Sequence, residues 1–126
     1  MDADSDLPAD LRAFLYSCID SVDQVDLLIR LRQSLSAQTV RQLSAASGLA
    51  PASVRRHLET LVVRGLLRAE VAGEVGYRYA PESAELRRYA DLLEGCYARQ
   101  RDQVVRAISA RAARTFADAF KFKKDP

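Results

Sequence analysis

The sequence predicts a mostly α-helical chain with one small β-hairpin near its middle and helices on either side of it. Three observations predict this. Apolar residues recur at helical spacing in five segments. Residues 66–81 alternate in character on both sides of the glycine-bearing stretch "GEVG". No apolar run approaches the roughly 20 residues that a bilayer-spanning helix needs.

The elements follow in order. In "LPADLRAFLYSCID", Leu11, Phe14, Leu15 and Cys18 fall at i, i+3, i+4 and i+7, one face of a helix over 7–20. Asp6 suits its N-cap and Pro8 its first turn. Ser21 caps a second helix, "VDQVDLLIRLRQSL", in which Val25, Leu28, Ile29 and either Leu31 or Arg32 mark the spacing. Asp20, Asp23 and Asp26 lie near its start, where the helix dipole favours acids. Thr39 caps the third helix, "VRQLSAAS", with Val40, Leu43 and Ala46 inward and Gly48 as its left-handed stop. After "LAP", Pro51 opens a fourth helix that runs to about Arg64, and Gly65 ends it.

Two strands follow, "LLRAEVA" and "GYRYAP". Leu67, Ala69 and Val71 share one face, as do Tyr77 and Tyr79, and Pro81 closes the hairpin. From Ser83 a long helical pattern runs to Phe120 through Leu86, Tyr89, Leu93, Cys96, Val104 and Ile108. Unbroken, that helix measures about 57 Å at 1.5 Å per residue. A domain this size has no core of that length, so the helix either finds a partner helix or breaks near Gly95–Arg99 and folds back. The domain organisation is therefore an N-terminal helix over 1–20, a central domain over 21–82 and a helical segment over 83–126.

Net charge is +2, unevenly spread. Residues 1–36 carry −4, whereas residues 37–80 and 81–126 carry +3 each. A basic middle is compatible with nucleic acid. Sixteen of the nineteen basic residues are arginine, and Lys121, Lys123 and Lys124 all sit in the C-terminal tail. With the abundant alanine, this is the usage of a GC-rich bacterial genome. The acidic start, "MDADSDLPAD", lacks the basic and apolar regions of a signal peptide, which predicts a cytoplasmic protein with no membrane partner. Cys18 and Cys96 are far apart and form no CxxC or Cys/His cluster, so neither a metal site nor a disulfide framework is expected. No GxSxG, P-loop, HExxH or GxGxxG occurs, and there is one histidine. An enzyme is not expected, and no cofactor is implied.

The order helix, helix, turn, helix, hairpin over 21–80 resembles a winged helix-turn-helix. "TVRQLSAASGLAPASVRRHLETLVVRGLLRAE" and the closing "GYRYAP" carry the resemblance. The segment is similar to the DNA-binding domains of small bacterial transcriptional regulators of the MarR and ArsR kinds. The residues agree physically. Val54, Leu58, Leu61 and Val62 gather on one side of the fourth helix at 100° per residue. Ala52, Arg56, Glu59 and Thr60 take the other side, flanked by Ser53 and Arg55. A recognition helix lies in the major groove with its N-terminal residues nearest the base edges. Small residues at 52 and 53 permit close approach, and Arg55 or Arg56 can donate two hydrogen bonds to guanine O6 and N7. Whichever misses a base reaches phosphate. Glu59 opposes this, facing phosphates or accepting from cytosine N4. Thr39 and the free N–H groups at the start of the third helix can meet a backbone phosphate. The wing departs from the resembled pattern: its tip is "AGEVG" with Glu74, leaving Arg68 and Arg78 to steer the hairpin toward DNA.

The resemblance implies a homodimer built by the flanking helices, acting as a repressor by operator occlusion. Leu11, Phe14, Leu86, Tyr89, Leu93, Cys96, Val104 and Ile108 are the expected dimer-interface residues. Its partners are double-stranded DNA, a second copy of itself, and a small-molecule or protein effector. Tyr89, Tyr97, Phe116, Phe120 and Phe122 suit core or dimer contacts, or else a ligand pocket formed with the first helix. Cys18 falls on the apolar face, where a thiol behaves as a small hydrophobe. His57 projects about 60° from Val54 and suits packing or a local hydrogen bond. The alternative is a winged-helix protein-interaction module that docks a partner through the long C-terminal helix.

Overall fold

A computed structural model describes residues 7–110. The elements are α1 (Ala9–Cys18), α2 (Val22–Arg32), β1 (Gln38–Thr39), α3 (Val40–Ser47), α4 (Pro51–Val63), β2 (Leu67–Ala72), β3 (Glu74–Tyr79), α5 (Ala84–Arg99) and a further helix, α6, over 101–110. They divide into two compact units. One spans residues 23–91; the other comprises residues up to 22 and from 92 onward.

The unit over 23–91 is the helix, helix, turn, helix, hairpin arrangement that the sequence predicts. Local chemistry sets its boundaries. The Thr39 side chain accepts from the Gln42 backbone N–H at 3.1 Å, and the Gln42 side chain accepts from the Thr39 N–H at 2.8 Å. This reciprocal capping box satisfies two donors at the start of α3. Gly48 ends α3 at φ +80°, a conformation that costs glycine nothing. Ala50 caps α4, with Pro51 in its first turn.

The inner faces differ in places from the sequence pattern. On α3 only Leu43 is buried, with Val40 partly covered and Ala46 exposed. An eight-residue helix has room for little more than one fully covered position. On α2 the buried set is Gln24, Val25, Leu27, Leu28 and Leu31. On α4, Val54, Leu58 and Leu61 are buried, and Val62 is half-covered.

The sheet has three antiparallel strands in the order β1-β3-β2. β1 is two residues long, with Gln38 opposite Tyr77 and Thr39 opposite Gly76. The hairpin is tighter than "GEVG" suggests. Ala72 pairs with Glu74, so Gly73 alone makes the tip, at φ +85°. Glu74, Val75 and Gly76 belong to β3. Leu67 and Tyr77 are buried, but Val71 is 78% exposed because the hairpin projects past the core.

The start of α5 joins this unit through charge and aromatic contacts. Arg32 of α2 pairs with Asp91, and the Tyr79 ring has Arg32 and Arg87 over it at 5.7 and 5.9 Å. Burial, the largest influence on Arg32, opposes its charge. Tyr79 and Asp91 outweigh it and hold the guanidinium above its ordinary value.

In the second unit, α1 starts at Ala9 with Pro8 at the cap position rather than in the first turn. Leu7, Leu11, Phe14, Leu15 and Ile19 are buried, as are Leu93, Cys96, Val104 and Ile108. Cys18 is half-buried. The long helical pattern is interrupted at Gln100, just beyond the Gly95–Arg99 stretch. The carbonyl of Gln100 accepts from the N–H groups of Gln103 and Val104, which begins α6 afresh. Phe116, Phe120, Phe122 and the lysine tail lie outside the described residues. Among the described residues, no helix is long and apolar enough to cross a membrane.

Of the expected dimer stripe, Leu11, Phe14, Leu93, Cys96, Val104 and Ile108 are each at most 4% exposed within the single chain. Leu86 and Tyr89 are half-buried.

Candidate nucleic-acid interface

The candidate interface is the outer side of α4. Burial of Val54, Leu58 and Leu61 fixes the roll of the helix, and their spacing sends Ala52, Arg55, Arg56 and Glu59 to solvent. Ser53 and Thr60 lie at the margins, half-covered. No hydrogen bond or ion pair joins Arg55 or Arg56 to another side chain among the described residues, although Glu59 stands four residues beyond Arg55. Among the described residues both guanidiniums are therefore uncommitted, each with five donors. Small side chains at 52 and 53 leave the start of the helix open to close approach.

A buried residue that the sequence pattern did not mark supports this helix from behind. Gln24 of α2 is 1% exposed, and its Nε2 lies 3.2 Å from His57 Nδ1 on α4. A glutamine inside an apolar helix face carries no periodicity signal, so only the structure reveals it.

Around the interface, charges are already paired. Arg78 Nε donates to Glu70 Oε2 at 2.9 Å, and its Nη1 donates to the Leu35 carbonyl at 3.4 Å. In the free protein Arg78 thereby links β3 to β2 and to the α2–β1 loop. Arg68 stands directly across from Arg78 in the register and is exposed. Thr39 is half-covered and serves the capping box. Arg41, which the sequence reading passed over, lies 2.8 Å from Glu74 at the wing tip. Their separation of 33 residues hides that pair from any local pattern.

The tyrosines proposed for a ligand pocket are each engaged by residues four or fewer positions away. The Tyr89 hydroxyl donates to Glu85 at 3.2 Å, with Arg88 over the ring. Tyr97 bonds to Arg101, whose guanidinium lies 4.7 Å from the ring centre.

Residues 25–70 match the model of the IclR helix-turn-helix domain. An ArsR-like transcriptional regulator from Rhodococcus sp. RHA1 is similar in structure, with a TM-score of 0.50 and 22% identity over 94% of this chain and 96% of that one. A MarR-family transcriptional regulator from the same organism has a TM-score of 0.54 and 17% identity over 93% of this chain and 72% of that one. No curated protein matches the sequence. A helix-turn-helix is a DNA-binding motif that places its second helix in the major groove. The chain is thus a winged helix-turn-helix protein with the fold seen in those two regulators, and its residues 25–70 are similar to the IclR helix-turn-helix domain.

Proposed function

We propose that this protein is a sequence-specific DNA-binding transcriptional regulator that acts as a homodimer and represses by occluding its operator. The observation that carries the reading is the pair of exposed, uncommitted arginines, Arg55 and Arg56, on the outer side of α4. In this role α4 enters the major groove. Ala52 and Ser53 let its first turn approach the bases, one arginine reads guanine O6 and N7, and the other contacts a base or phosphate. Thr60 borders the same surface, and Arg68 and Arg78 are the hairpin cations that meet the backbone. The start of α3, capped by Thr39, faces a phosphate.

Dimerisation rests on the architecture of the resembled families. Leu86 and Tyr89 are the members of the expected interface that the single chain leaves partly uncovered. Two copies would present two α4 helices to half-sites about 34–36 Å apart, one DNA turn. An effector, a small molecule or a protein, acts by changing that spacing. The alternative is a protein-interaction module that docks a partner through the C-terminal helical segment, in which Leu86 and Tyr89 are likewise partly uncovered.

The test is mass in solution, alone and with genomic DNA fragments, followed by sequencing of the retained fragments. A dimer that retains a defined set of fragments supports the proposal. A monomer with no preference among fragments contradicts it.

A further inference from the structure

The wing carries a charge arrangement that the reading of α4 leaves unused. Arg41 stands in the first turn of α3, two residues past Thr39. Glu74 opens β3, directly after the Gly73 tip. Arg41 Nη2 lies 2.8 Å from Glu74 Oε1, with side-chain exposures of 76% and 52%. The sheet register brings them together: Thr39 sits opposite Gly76, which runs the tip of the hairpin alongside the first turn of α3.

The helix before a recognition helix crosses the DNA backbone, and α3 holds that place in this fold. Its first-turn guanidinium is therefore on the phosphate side of the domain, with a carboxylate already on it. An exposed ion pair contributes little and is screened by salt. A phosphate matches a guanidinium at least as well, through paired charge-assisted hydrogen bonds. Exchanging carboxylate for phosphate thus costs little at Arg41, but it leaves Glu74 close to the backbone, where it repels.

We propose that Arg41 is a backbone-phosphate contact that Glu74 occupies in the free protein, so that Glu74 acts as a built-in brake on DNA affinity. The inference rests on the DNA-binding reading above. It concerns affinity and not sequence choice, because phosphate contacts position a protein without reading bases.

The test titrates a mixed-sequence DNA duplex, across a range of salt, with the wild type, Glu74→Gln, Arg41→Ala, the double variant and Arg55→Ala/Arg56→Ala. Both positions are exposed, so matched melting temperatures verify that each variant folds. Arg41→Ala is expected to weaken binding and to flatten the plot of log K against log salt by about 0.9, the value for one phosphate contact. Glu74→Gln is expected to tighten binding several-fold, and most of that gain disappears in the presence of Arg41→Ala. Unchanged affinity in Glu74→Gln, or an equal gain with and without Arg41, overturns the inference. If those results accompany weakened binding by Arg55→Ala/Arg56→Ala, this inference alone falls. If the wild type binds no duplex, it falls together with the DNA-binding reading.

Discussion

Gln24 Nε2 donates to His57 Nδ1 across 3.2 Å, joining the buried face of α2 to the flank of α4. The bond stands directly behind the side of α4 that bears Arg55 and Arg56, so it helps set how that helix is rolled. With the amide so oriented, Nδ1 accepts and the imidazole carries its proton on Nε2.

Gln24→Ala is therefore expected to lower stability by about 1–3 kcal/mol, the cost of removing one partner of a buried hydrogen bond. Urea unfolding measures it. A change within about 0.5 kcal/mol, the range of ordinary surface substitutions, contradicts a structural role for this bond.

Gly76→Ala tests the sheet. Gly76 lies in the central strand, and a Cβ there comes within 3.0 Å of the Ala37 Cβ. Overpacking of this kind costs about 1–3 kcal/mol. The expected loss appears in thermal or urea unfolding, with β1 the strand that yields. A neutral effect shows that β1 is not held to β3.

Tyr79→Leu tests the attachment of α5 to the unit over 23–91. It keeps apolar bulk but removes a ring under both Arg32 and Arg87. At about 0.5–1 kcal/mol for each exposed cation–π contact, the expected loss is about 1–2 kcal/mol. The Asp91→Asn change removes only a partly exposed ion pair and is expected to cost about 1 kcal/mol or less. The ordering of the two variants in unfolding experiments decides whether the ring or the ion pair dominates.

Much of the central unit was legible in the residues themselves. Thr39, Gly48 and Pro51 are chemical punctuation for α3 and α4, and the structure uses each as punctuation. The exposed side of α4 followed from the spacing of Val54, Leu58 and Leu61. What stayed hidden depends on partners distant in sequence. β1 is two residues whose strand character exists only through β3. Gln24 is buried because His57 meets it, and Arg78 is committed because Glu70 meets it. The flanking helices show a different limit. Helical spacing identifies an apolar face but not what covers it, so a core stripe and a dimer stripe read alike. The break at Gln100 falls just beyond the Gly95–Arg99 stretch where the sequence allowed one.

Guanine N7 methylation protection on a retained genomic fragment tests the central claim most directly, because it asks whether α4 reads the major groove through Arg55 or Arg56. The account predicts protected guanines in two half-sites about one helical turn apart, with protection lost at one position of each half-site in Arg55→Ala or Arg56→Ala. Tight binding with no protected guanine, or identical protection in the wild type and both variants, would contradict it.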